Sequence, residues 1–227
     1  MHRVIRRLVN KLVTRLGVLI YEANHRIAQE TLPRFGNAPK NVRIDLPRRI
    51  ANPERIFLGN DVRLGPGSLL NAITHYPTKT MQHPEKESPV QNFDPKIIIG
   101  NRVTATAGLQ IVAMKEVVIE DDVMFASNIN ITDALHGYEN TDEPFKYQRM
   151  GRIAPIRIRR GSWIGQNVVI LPGVTIGEFT IIGANSVVTK SIPDRCIAVG
   201  APARVTRKWD EIAQRWVSVE NEHSRYD

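Results

Sequence analysis

The chain has 227 residues, 42% of them hydrophobic, with 31 Lys or Arg against 23 Asp or Glu and a formal net charge of +8. That length carries a sizeable core, and the single cysteine, Cys196, excludes an intramolecular disulfide framework, as expected of a protein of the reducing cytoplasm. The charge is local: residues 1–34 hold seven basic and two acidic residues, a net +5, and no aromatic interleaving or motif among them makes nucleic acid an expected partner.

In chain order, the first twenty residues are apolar but interrupted by Arg3, Arg6, Arg7, Lys11 and Arg15. These are too many charges for a spanning helix and the wrong layout for a cleaved leader. Ile5, Leu8, Val9, Leu12, Val13, Leu16, Leu19 and Ile20 fall on one stripe at helical spacing, which predicts a basic amphipathic helix. Two readings of it stay open: packing on its own protein or oligomer partners, and lying on an anionic membrane surface. A connection containing Pro33, Pro39, Pro47 and Pro53 follows, so residues 1–41 form an N-terminal appendage.

From residue 42 the signal is periodic. Ile158, Ile164, Ile170, Ile176, Ile182 and Val188 are spaced by six, and Ser162, Val168, Val174, Thr180 and Ser186 keep a parallel register two places earlier. A helix repeats at three and four residues and a half-buried strand at two, so a period of six argues for an all-β solenoid that returns to one interior edge. Glycines after Ile164, Ile176 and Ile182 are expected to supply turn freedom between faces. The same hexad reads through Leu58, Leu64 and Leu70, through Ile99, Ala105 and Ile111, and, after a slip of two residues, through Ile119, Phe125 and Ile131. Residues 71–96 and 132–154 interrupt it and are expected to project as loops. The repetitive domain thus covers 42–202. Trp209, Ile212 and Trp216 share one side at helical spacing, so 203–220 reads as a short helix capping the last rung, within a C-terminal cap and tail of 203–227.

The segment GSWIGQNVVILPGVTIGEFTIIGANSVVTKSIPDRCIAVGAPARVTRKW, residues 161–209, resembles the C-terminal coils of the hexapeptide-repeat acyltransferases, the group of the galactoside, maltose and polysaccharide O-acetyltransferases. The resemblance implies a left-handed parallel β-helix, a homotrimer, and acetyl-CoA bound between neighbouring subunits. Handedness comes from the resemblance alone, since crossover connections in general favour the right hand. The catalytic histidine of that family matches His136 in TDALHGYENTDEPF. A neutral imidazole there would take the proton of a sugar hydroxyl as its oxygen attacks the thioester. Asp133, three residues earlier, is a candidate to orient that imidazole. By the same resemblance Gln166, Ala184, Thr189, Lys190, Arg204 and Arg207 are the coenzyme positions, the small Ala184 allowing close approach and the cations meeting phosphates. Trp163 is expected to line the cleft or to anchor its rung.

His75 and His83 in the first loop read as surface or acceptor-site residues, and Cys196, with no adjacent histidine, reads as packing. Asn128 and Asn130 either face the acceptor or stack at turns. No nucleotide-binding glycine loop occurs, and no metal is expected. A zinc site of three histidines, as in a γ-type carbonic anhydrase, would need His75, His83 and His136, whose spacing is not compact. The expected activity is O-acetylation of a saccharide or glycan in surface polysaccharide or lipopolysaccharide biosynthesis, in the cytoplasm or at the inner membrane face, with contact through residues 1–20. N-acetylation of an amino sugar and a non-catalytic scaffold are the alternatives.

Overall fold

A computed structural model describes residues 2–87 and 89–219. It opens with helix α1, His2–Glu30, whose residues 6, 7 and 9–24 are all exposed; its last turns touch the rest, where Ala28 is buried. Arg48 holds this root by donating to the Ala28 carbonyl at 2.8 Å and to the Thr31 hydroxyl at 2.9 Å.

Beyond α1 the chain winds as a coil of short strands that stack in parallel on three faces. The first face carries Arg43–Ile44, Arg63–Leu64, Trp163–Ile164, Ile181–Ile182 and Cys196–Gly200. The second carries Arg48–Ala51, Ser68–Ala72, Val169–Ile170 and Val187–Val188. Strands Thr104–Ala113 and Met124–Thr132 run round the corner and serve both faces. The third carries Ile56–Leu58, Lys96–Ile99, Glu116–Ile119, Ile156–Ile158 and Thr175–Ile176. Stacked partners lie 20 positions apart in the early rungs, as in Arg43 with Arg63, and 18 apart in the later ones, as in Trp163 with Ile181. The two extra residues sit at the corner between the second and third faces. That corner holds the slip between Ile111 and Ile119 and is the origin of both loops.

The hexad is the core. Ile158, Ile164, Ile170, Ile176, Ile182 and Val188 are all fully buried, and so are the residues of the second register. The hydroxyls among them are satisfied inside: Ser162 donates to the Gly177 carbonyl and Ser186 to that of Gly183, each at 2.7 Å. The remaining two corners turn through left-handed backbone. One column runs Asn41, Asp61, Arg102, Asp122, Gly161, Phe179 and Arg195, the other Gly67, Gly108, Asn128, Asn167 and Asn185, all at positive φ. Gly165, Gly177 and Gly183 are not in these columns, which corrects the role expected for them. They permit close stacking: a Cβ on Gly165 would stand 2.7 Å from the Ala184 amide of the next rung.

The C-terminal helix is also corrected. Residues 203–218 form a β-hairpin, Ala203–Asp210 pairing antiparallel with Cys196–Gly200 and then with Arg215–Ser218. Trp209 and Trp216 are cross-strand partners whose rings meet edge to face at 5.4 Å, whereas Ile212 lies in the turn at 98% exposure. An open sheet edge offers a row of unpaired amides and carbonyls that an antiparallel strand satisfies and a helix does not. The tail expected over 220–227 lies outside the described residues.

The stacking geometry has a direct test at Gly65, where an added methyl would overlap the Thr106 carbonyl oxygen one rung on. Gly65→Ala is expected to lose about 1–3 kcal/mol in denaturant unfolding, the usual scale of overpacking in a well-packed core.

Candidate active site

Both loops leave the same corner, two rungs apart, with the tight turn of Ala113 to Glu116 between them. Above this turn, Asp133 is fully buried. Its Oδ1 accepts the Met114 amide and its Oδ2 the amides of Lys115 and Glu116, all at 2.7 Å. Burial pushes its carboxyl above the ordinary range, and the three amides act against that shift. Both oxygens are thus committed to the corner and not to the His136 imidazole. The orienting role considered for Asp133 becomes a backbone one: it fixes the base of the second loop three residues before His136.

From that base Ala134–His136 runs antiparallel to Met150–Ile153, with His136 opposite Met150 and an irregularity between Ala134 and His136. The imidazole is exposed at the end of this ribbon. Its ring meets that of Tyr76 edge-on at 5.3 Å, a contact that no spacing or motif in the chain announces. Tyr76 belongs to the first loop, in a short ribbon pairing His75–Tyr76 with Gln91–Asn92. It is buried with Met114, Ala134 and Met150, and its hydroxyl donates to the Lys146 carbonyl of the second loop. Gln91 bridges the loops again, accepting the Met150 amide at 2.7 Å and donating to the Met150 carbonyl at 3.4 Å. The two loops therefore brace one another. A cleft of about 350 Å³ between them is lined by His83, Lys86, Glu143, Tyr147 and Arg149 among others.

His83 uses Nδ1 to accept the amides of Glu85 and Lys86 and packs its ring against Tyr147 at 4.7 Å, while His75 contacts the Thr74 hydroxyl at 3.2 Å. Among the described residues no group of three or more His, Cys, Asp or Glu side chains is gathered as a metal would need, so His75, His83 and His136 do not converge. Cys196 is buried, and burial raises its thiol pKa, which leaves it a poor nucleophile. Asn128 stacks at a corner, donating to Asn167, which donates to Asn185.

The coenzyme candidates fall into three groups. Trp163 points outward from the first face, 46% exposed, in the register row Trp163, Ile181, Ile197, Arg207; Arg204 is on the same terminal hairpin. Gln166 and Ala184 are exposed at the corner between the first and second faces, where the Asn185 amide donates to the Gln166 carbonyl at 2.9 Å. Thr189 and Lys190 follow Val187–Val188 at the corner from which the loops spring, two rungs beyond His136. Within one chain these groups lie on separate edges of the prism. A cavity of about 730 Å³ lies at the opposite end, beside the root of α1, and takes in none of them.

Removing the Asp133 carboxylate leaves three amides at a buried corner without an acceptor. Asp133→Ala is expected to cost about 3 kcal/mol or more in denaturant unfolding, each orphaned group contributing on the order of 1–3 kcal/mol.

Residues 155–190 match the family described as bacterial transferase hexapeptide (six repeats). The chain is 41% identical over 123 residues to galactoside O-acetyltransferase of Escherichia coli K12, a match covering 54% of this chain and 59% of that protein. It is 31% identical over 126 residues to the putative lipopolysaccharide biosynthesis O-acetyl transferase WbbJ of the same organism, covering 53% and 64%. The chain thus spans about three fifths of the length of these curated relatives. Among solved structures, a maltose O-acetyltransferase from Clostridium difficile 630 is 26% identical with a TM-score of 0.50, covering 84% of this chain and 77% of that one. An N-acyltransferase from Bacillus cereus, solved with dTDP and coenzyme A, shares the fold at a TM-score of 0.62, with 23% identity and coverage of 79% and 87%.

Proposed function

We propose that the protein transfers an acetyl group from acetyl-CoA to a hydroxyl of a saccharide, with His136 as general base. The reading is carried by the placement of His136: an exposed imidazole, braced from two loops, on a coil whose repeat is that of bacterial transferases. Two relatives named as O-acetyltransferases favour oxygen as the accepting atom. The polysaccharide or lipopolysaccharide acceptor follows the second of them.

In the proposed reaction the neutral ring takes the hydroxyl proton as the oxygen bonds to the thioester carbonyl carbon. The C–S bond then breaks, and the thiolate receives the proton back from the imidazolium. No acyl-enzyme forms, which agrees with a buried Cys196. Tyr76 holds the ring edge, and the Asp133 clamp holds the strand that carries it. Lys190, Arg204 and Arg207 would meet the coenzyme phosphates, Ala184 and Gln166 the pantetheine arm with Thr189, and Trp163 the thioester end. Because these groups occupy separate edges of one prism, a common cleft calls for a second copy, and a homotrimer of left-handed β-helices supplies it. A coenzyme A donor is in keeping with a reaction in the cytoplasm.

The test is a thiol-release assay with acetyl-CoA against free sugars, nucleotide sugars, amino sugars and isolated surface glycans. Acceptor-dependent release is expected from a hydroxyl acceptor, with His136→Ala lowering kcat roughly 100-fold or more. Release with amino sugars alone would move the assignment to N-acetylation, and coenzyme binding with no turnover on any acceptor would favour a scaffold. In the same assay Arg204→Ala with Arg207→Ala is expected to raise KM for acetyl-CoA roughly tenfold while kcat holds, the signature of lost phosphate contacts.

A further inference from the structure

The most unusual surface of the molecule is α1. Val9, Leu12, Val13, Leu16, Leu19 and Ile20 are each more than half exposed, on a helix that packs on the coil at its root. They span about 120° of the helix circumference at 3.6 residues per turn. No described helix is long and apolar enough to cross a membrane.

Charge decides what covers this stripe. Residues 1–21 carry Arg3, Arg6, Arg7, Lys11 and Arg15 and no acidic residue; the first is Glu22. A bundle of identical helices would need a narrower seam and opposite charges beside it, and this segment offers copies of itself only cations. A broad apolar stripe flanked by cations is the pattern that lies in an anionic lipid interface. The root of the helix extends the same character. The cavity there, about 730 Å³, combines Leu32, Pro33 and Phe35 with Arg34, Arg43 and Arg63. Arg43 is engaged by Asp45, whereas no ion pair within the described residues involves Arg34 or Arg63.

We infer that α1 seats the protein on an anionic phospholipid surface, its apolar stripe in the interface and Arg34 and Arg63 at the helix root meeting lipid phosphates. This is independent of the catalytic assignment, and its test uses no activity. The full chain is floated with vesicles of phosphatidylcholine and phosphatidylglycerol at 7:3 and with phosphatidylcholine alone, at low and high salt. Binding is expected to the anionic vesicles, weakened by salt, reduced at least tenfold by Leu12→Glu with Leu16→Glu, and reduced severalfold by Arg34→Ala with Arg63→Ala. Thermal melting checks that each variant remains folded, and light scattering reports its oligomeric state. Equal binding to both vesicles, or anionic binding untouched by the Leu12 and Leu16 changes, would overturn the inference. So would wild type that ignores vesicles while the same double variant loses subunits, which would assign the stripe to a contact between copies.

Discussion

The requirement that each rung lie in register on the last, at strand spacing, governs this structure. A coil of three short strands per turn closes only if the corners turn through left-handed backbone and if nothing at the stacked edges holds neighbours apart. Asn128, Asn167 and Asn185 meet the first condition and link their side chains into a ladder as they do so. Gly65 and Gly165 meet the second, by lacking a Cβ where the next rung's backbone passes. With those conditions met, the aliphatic residues stack into a continuous column that needs no layer from outside. The third corner has two residues of slack in the early rungs, and both loops leave the coil there.

The candidate site follows from that arrangement. An exposed loop histidine is poorly fixed by its own strand, because a two-stranded ribbon is marginal alone. Here the ribbon is tied below by a carboxylate spanning three amides of the underlying turn and beside by Gln91 and Tyr76 of the other loop. Charge relay from Asp133 is unnecessary to this design, and its burial would make it a costly one. The imidazole is left exposed while its backbone is held.

The periodic part of the fold was legible because each residue of the hexad meets a partner at fixed sequence distance, so spacing alone encodes contact. The C-terminal cap misled for the same kind of reason. Trp209, Ile212 and Trp216 carry helical spacing, yet the pairing demanded by the edge strand Cys196–Gly200 prevails over a three-residue pattern. His136 was nominated by resemblance, and its place on a loop was read from the break in the period. Tyr76 and Gln91 were not found, since their partners Lys146 and Met150 lie 70 and 59 residues away with no periodicity to connect them. Asp133 was singled out as a neighbour in sequence, but its function depends on amides of the rung beneath.

In a stacked coil most changes are felt only by adjoining rungs, so a surface loop ordinarily diverges as a separable cassette. The bracing of the two loops through Tyr76 with Lys146 and Gln91 with Met150 removes that freedom here. A change in either loop that removes these contacts loosens the ribbon that bears the histidine. Divergence at this corner is therefore expected to couple the two loops on an unchanged coil, and a chimera that grafts one of them alone leaves the ribbon without its brace from the other.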